Sequence, residues 1–153
     1  MSDSVYEGRR PDESGEAATR LLGSAGYAVR RVFVPNDVKE IMRVLRLERS
    51  AGAFILIGGT GPSPRDVTID VLEDVCWRKF PGFGEYFRAQ SLKSVGLRAL
   101  LTRTELCLLY DGRPLVALPG SPGAVELGIR MFIDILPHLV EEAGRFEGPH
   151  SHG

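Results

Sequence analysis

Gly58-Gly59-Thr60-Gly61 follows directly on the apolar run Ala53-Phe54-Ile55-Leu56-Ile57. Glycines adopt positive φ and leave backbone N–H groups open to a phosphate, so this order suits a phosphate-bearing ligand held at the carboxyl end of a buried strand. The loop lacks the lysine of a nucleoside-triphosphate P-loop and the spacing of the dinucleotide fingerprint. A tight turn without ligand would use the same glycines, so the loop alone leaves both readings open. Arg65-Asp66 comes within a few residues of it. Asp66 could set a divalent cation against phosphate oxygens or orient a reacting hydroxyl, and Arg65 could neutralise charge in a phosphoryl transition state. Equally, Asp66 could complement the amino-terminal charge of a helix beginning near Thr68.

Pro119-Gly120-Ser121-Pro122 is a second rigid loop, feeding a helix amino terminus whose free N–H groups suit an anion. The same residues also make an ordinary capped helix start. Pro81-Gly82-Phe83-Gly84-Glu85 reads as a connection between two helices, with Phe83 packing inward or covering a pocket. Glu85, Arg88 and Ser91 then lie on adjacent turns and present a polar face either to ligand or to solvent. Arg103 is an anion ligand or a surface residue. No histidine stands near a serine or cysteine as a catalytic triad requires, and His138, Trp77 and Tyr86 read as packing, surface or subunit-contact residues.

Alternating helices and strands must position these groups, and they predict a three-layer α/β/α sandwich with a mostly parallel sheet and an antiparallel hairpin. Ser14 is expected to cap a first helix carrying Ala18, Leu21, Leu22 and Ala25 and ending at Gly26. Val29 to Val34 reads as a short strand with one wet face. A second helix bears Val38, Ile41, Met42 and Leu45, with Asn36 or Asp37 at its cap. Residues 53–57, apolar throughout, suit a central strand buried on both faces. Thr68 is expected to cap a helix burying Ile69, Leu72, Val75 and Cys76, which must end before Pro81. Phe83 to Leu92 reads as a short helix, and Val95 to Leu101 as a helical or irregular segment. Leu106 to Leu109 and Leu115 to Leu118 flank Tyr110-Asp111-Gly112-Arg113 as a hairpin. A last helix buries Val125, Ile129, Phe132, Ile133 and Leu136, with Pro137 set to kink or end it. The α/β domain spans 1–143, and the polar ends, including 144–153 with His150 and His152, read as flexible tails.

The 153 residues, 43% of them hydrophobic, suffice for one sizeable core. Nineteen Lys plus Arg against twenty Asp plus Glu give a net charge of -1, which supplies no field for a nucleic-acid backbone. No apolar run is long enough to span a membrane, and the polar start Met1 to Arg10 lacks the apolar core of a secretory signal. Two cysteines far apart, Cys76 and Cys107, suggest neither a metal cluster nor a disulfide framework, so a reducing, cytoplasmic compartment is expected.

In order and spacing, Gly58 to Gly61, Arg65-Asp66-Val67-Thr68, Pro81 to Glu85, Phe87-Arg88, Thr102-Arg103 and Pro119 to Pro122 resemble the molybdopterin-binding family of MoaB and Mog proteins. The resemblance begins at Ser2-Asp3 and Asp12-Glu13-Ser14-Gly15 and runs through Leu136-Pro137, most of the chain. It implies magnesium-dependent transfer of AMP from ATP to the terminal phosphate of molybdopterin, releasing pyrophosphate, in molybdenum or tungsten cofactor biosynthesis. It also implies a trimer, or a hexamer of trimers, and a metal-insertion protein as a partner. On this resemblance Asp66 handles magnesium, Gly58, Gly59, Thr60 and Gly61 contact phosphate or pterin, and Ser91, Arg103, Gly120 and Ser121 complete the pocket.

Two departures from the family pattern shape the expectation. A second acidic residue commonly follows the proline before helix two; here Asn36 stands there, with Asp37 beside it as the substitute catalytic and metal-binding candidate. Asn supplies no carboxylate charge to a cation, so a catalytically weak molybdopterin binder or carrier is the first alternative, and a structural or regulatory oligomer the second. Family members also carry an apolar strand immediately before Ser-Asp, whereas this chain starts Met1-Ser2-Asp3. Two readings stay open: translation starts upstream and that strand precedes Met1, or the sheet lacks an inner strand, with a bared strand edge and apolar surface beside it.

Overall fold

The computed structural model describes Gly8 and residues 11–145; Ser2-Asp3, His150 and His152 lie outside the described residues. The sequence pattern organises the fold around one strand. Leu115, Val116, Ala117 and Leu118, all fully buried, alternate their side chains between two helical layers. Val116 and Leu118 join Leu22, Phe87, Ile129 and Phe132 on one face, while Leu115 and Ala117 join Ile41, Leu45, Ile69 and Leu72 on the other. This is the expected α/β/α sandwich.

The elements run α1 (Glu13–Ser24), α2 (Val38–Leu47), β1 (Phe54–Ile57), α3 (Thr68–Val75), β2 (Cys76–Lys79), α4 (Pro81–Val95), a 3-10 turn (Gly96–Leu101), β3 (Glu105–Leu109), β4 (Pro114–Leu118) and α5 (Pro122–Ala143). The sheet order is β1-β4-β3-β2. Among the described residues only β1 and β4 pair in parallel; β4–β3 and β3–β2 are antiparallel, so the sheet is mixed rather than mostly parallel. The predicted hairpin is β3–β4. α5 lies close on β4, because a Cβ at Gly128 would stand 2.3 Å from a methyl of Leu118. Each large side chain buried along that seam contributes roughly 1.5–3 kcal/mol.

Several local expectations are corrected. α1 is capped by Asp12, whose Oδ1 accepts from the Gly15 amide at 3.0 Å, and the Ser14 hydroxyl donates instead to the Gly120 carbonyl. β2 was read as the end of a helix and a connection; β-pairing with β3 converts Cys76–Lys79 into a strand, and Pro81 then opens α4 at its first turn. Pro137 neither ends nor divides α5, which continues to Ala143 with the proline on an exposed face.

Residues 29–34 form no strand with the described residues. A strand exists only against a neighbour, and β1, the nearest sheet edge, is separated from them by a cavity of about 1250 Å³ lined by both. Among the described residues the outer edge of β1 therefore borders an apolar slot.

Cys76 and Cys107 are also corrected. They face each other across β2 and β3, with Cα atoms 5.8 Å apart and sulfurs bonded as a disulfide. Strand pairing closes a sequence separation of 31 residues, which spacing alone does not reveal. The loop-entropy relation assigns such a cross-link about 3–4 kcal/mol. Protein refolded in reductant should therefore show a lower denaturant midpoint than protein refolded without it. Two titratable thiols in the untreated protein, with equal midpoints, would show that the sulfurs only touch.

Candidate functional site

The parallel pairing of β1 with β4 decides where the site lies. Ile57 is in register with Leu118, so the two strands end side by side and release the loops 58–61 and 119–121 together. The Gly58 amide still donates to the Leu118 carbonyl at 2.8 Å, and a Cβ on Gly120 would rest 3.6 Å from the Gly58 Cα. The two loops that the sequence singled out thus meet at one sheet edge.

Every carbonyl of the first loop is held by the protein. The Thr68 hydroxyl donates to Gly58 O at 2.7 Å and the Thr68 amide to Gly59 O at 3.1 Å. The Arg103 amide donates to Thr60 O at 2.8 Å, and the Arg103 guanidinium donates to Gly61 O at 2.8 and 3.1 Å. Gly58 and Gly59 reach this conformation with φ of +98° and +70°. By contrast, the amides of Gly59, Thr60 and Gly61 donate to no partner among the described residues. Carbonyls bound inward and amides left open make a neutral anion cradle.

Thr68 therefore does not cap its helix through its side chain, as expected; the cap position is Val67 and the hydroxyl staples helix to loop. Gly59 must be glycine twice over, because of its φ and because a Cβ would stand 2.3 Å from the Thr68 hydroxyl. On the opposite side Thr60, Thr102 and Thr104 form a hydroxyl chain with 3.1 Å links. Arg88 ties α4 to the Thr102 and Thr104 carbonyls, and Gly84 lets the helix approach Thr104.

A cavity of about 280 Å³ opens over the cradle, lined by Gly59, Thr60, Gly61, Asp66, Arg98 and Gly120 among others. Of the predicted residues it gathers the last three loop residues, Asp66 and Gly120; Gly58 lies buried just beneath. Asp66 accepts from the Ser63 amide at 3.0 Å through Oδ2. Arg103 is not on the lining: its guanidinium also bonds the Asp66 carbonyl at 2.7 Å, so it shapes the loop instead of facing the cavity. Arg65 is exposed and Ser91 is buried, both away from the cavity lining. Ser121 caps α5, accepting from Ala124 N at 3.4 Å, and borders the larger slot.

Asp37 and Asn36 line neither cavity. The Asp37 carboxylate accepts from the Glu40 amide at 3.0 Å as the cap of α2. Among the described residues no group of three or more His, Cys, Asp or Glu could hold a metal by itself. Asp66 alone suits a magnesium ion that arrives with phosphate oxygens, because that ion takes one or two carboxylates and keeps its other positions for phosphate and water.

Arg98 was missed. It is exposed on the 3-10 turn at the cavity wall, with no ion pair or hydrogen bond among the described residues. The sequence offered no local signal for it, since only the turn after α4 carries it to the glycine loop.

The chain matches the family described as "Probable molybdopterin binding domain" over residues 1–138. It is 32% identical over 148 residues to a molybdopterin adenylyltransferase of Pyrococcus furiosus, covering 94% of this chain and 87% of that protein. It is 40% identical over 143 residues to a molybdenum cofactor biosynthesis protein B of Staphylococcus aureus, covering 86% and 82%. Its fold is similar to the crystal structure of the tungsten cofactor synthesizing protein MoaB from Pyrococcus furiosus, with a TM-score of 0.86, 31% identity, and 94% and 92% of the two chains covered.

Replacing Thr68 by Val should cost about 1–3 kcal/mol, since the buried Gly58 carbonyl loses its donor, whereas Thr68→Ser should retain most of the stability. Thermal melts compare the two. Equal losses would mean that the methyl contact, not the hydroxyl, holds the loop.

Proposed function

The chain belongs to the molybdopterin-binding family of MoaB and Mog proteins, and from that premise we propose that it transfers AMP from ATP to the terminal phosphate of molybdopterin. The observation that carries this reading is the cradle: three unpartnered amides beside Asp66, held open by carbonyls that all bond inward. Such donors suit phosphate oxygens on which charge builds during transfer.

In the proposed reaction an oxygen of the molybdopterin phosphate forms a bond to the α-phosphorus of ATP as the bond to the bridging oxygen breaks. Pyrophosphate leaves with that oxygen. The amides of Gly59, Thr60 and Gly61 hold phosphate oxygens in place, Gly120 lets ligand approach the second loop, and Arg98 offsets charge at the wall. Magnesium, held by Asp66 with phosphate oxygens, would screen the charge of the leaving pyrophosphate.

A second reading, a molybdopterin binder or carrier with weak catalysis, is favoured by one observation. Asp66 is the only carboxylate on the cavity lining among the described residues, and Asp37 is engaged as a helix cap. A structural or regulatory oligomer has the exposed Trp77, Tyr86, Leu97, Leu100 and Leu101 in its support, and the same surface suits the trimer or hexamer of the leading reading. We place the protein in the cytoplasm, working beside a metal-insertion protein in molybdenum or tungsten cofactor assembly. No helix among the described residues is long and apolar enough to cross a membrane.

Purified protein incubated with ATP, molybdopterin and magnesium should release pyrophosphate and adenylylated pterin. Molybdopterin binding without product would select the carrier reading. Asp66→Ala should reduce kcat at least tenfold with molybdopterin affinity nearly unchanged; equal kcat would reject its role. Arg98→Gln should raise the KM for ATP several-fold while leaving the melting temperature unchanged, and an unaltered KM would remove Arg98 from the site.

A further inference from the structure

Behind the glycine loop, three hydroxyls form a chain to which the proposed reaction assigns no part. The Arg103 amide donates to the Thr60 carbonyl at 2.8 Å, which sets Thr60 beside residues 102–104 in a fixed register. Thr60 Oγ1 then stands 3.1 Å from Thr102 Oγ1, and Thr102 Oγ1 stands 3.1 Å from Thr104 Oγ1. Arg88 holds the same segment from α4 through the carbonyls of Thr102 and Thr104. Thr60 and Thr102 line the cavity over the cradle; Thr104, only 3% exposed, does not.

Each hydroxyl carries one proton and two lone pairs, so three hydroxyls joined by two links have one proton to spare. Burial decides where it lies. Thr104 Oγ1 has no partner but Thr102 among the described residues, and a buried donor left unmade is costly, so Thr104 must donate to Thr102. The remaining link, between Thr102 and Thr60, uses one proton of that pair. The other proton has no acceptor among the described residues, and both oxygens that could carry it border the cavity. Had the chain run the opposite way, its last proton would be stranded in the interior at Thr104. A chain that only pinned two segments together would need its spare proton nowhere in particular; here it faces the same space as the open amides of Gly59, Thr60 and Gly61.

We propose that Thr102 and Thr60 act as a single hydrogen-bond donor to a phosphate oxygen seated on the amide cradle, with Thr104 fixing the direction of that donor from behind. The three amides and this hydroxyl then all offer protons, which suits an oxygen bearing full negative charge and disfavours one that is protonated. The proposal rests on the phosphate reading of the cradle, and it holds whether or not AMP is transferred.

The test reads the affinity of the full chain for pyrophosphate with magnesium, by calorimetry. Thr102→Val should weaken binding roughly tenfold, the worth of one hydrogen bond to a charged group, and Thr102→Ser should stay within about twofold of the wild type. Thr60→Val should weaken it by a similar factor, and Thr60→Val combined with Thr102→Val no further, because the pair supplies one proton. Thr102→Val also strands the Thr104 proton and should lower the melting temperature. Adding Thr104→Val removes that proton, so the melting temperature should recover while the affinity stays low. Losses that multiply in the Thr60 and Thr102 double variant, affinity that returns together with stability, or wild-type protein that takes up no pyrophosphate would each overturn the proposal. Pyrophosphate bound in the expected pattern by a protein that makes no adenylylated pterin supports the shared donor and rejects the transferase reading. AMP transfer with unchanged pyrophosphate affinity in Thr102→Val overturns the donor and leaves that reading standing.

Discussion

The direction of four carbonyl groups governs the candidate ligand site. Because Gly58, Gly59, Thr60 and Gly61 all turn their oxygens toward Thr68 or Arg103, the intervening amides must face the other way. Peptide planarity makes this coupling rigid, since a carbonyl and the next amide belong to one plane. Thr68 supplies two of the bonds and is fully buried at the start of α3, so loop and helix cannot shift independently. Arg103 supplies the rest from the segment before β3. The cradle is therefore a property of three separate elements and not of the glycines alone.

Beneath the loop, rigidity comes from β4. Its side chains form parts of both cores, and its parallel register with β1 fixes where both site loops emerge. The antiparallel β3 then returns the chain so that Thr102 and Arg103 arrive opposite Thr60 and Gly61. A purely parallel sheet would need another crossover to do this. The mixed topology, of which the sequence showed the β3–β4 hairpin but not the β2–β3 pairing, is what lets Arg103 act as the loop's clamp.

What the sequence made legible was local. The glycine loop, the Asp37 cap, the Ser121 cap and the hairpin at Asp111-Gly112 each rest on neighbouring residues, and the structure contains each of them. What it hid depends on distant pairing. β2 carries exposed Trp77, Arg78 and Lys79 and becomes a strand only because β3 offers an edge. Residues 29–34 have the converse fate, with strand-like composition and no strand edge within reach among the described residues. Arg103 looked like an anion ligand because a guanidinium so near a phosphate loop is a natural donor; its carbonyl partners lie up to 42 residues away and could not be read from spacing.

Charge accounts for the remaining shape of the site. Arg88 and Arg103 both stand near the loop, yet their donors go to backbone carbonyls and, for Arg103, also to the Asp70 carboxylate at 3.5 Å, so their positive charge lies behind the cradle and not on the cavity surface. A polyphosphate entering the cavity meets neutral amides, one acidic side chain and the single unpaired guanidinium of Arg98 among the described residues. Neutral amides orient an anion strongly but do not cancel its charge, and Asp66 alone would repel it. The carboxylate is compatible with such a ligand only when a cation accompanies the phosphates. On that electrostatic ground the proposed reaction would use Asp66 to handle the cation and the amides beside it to fix the phosphate oxygens.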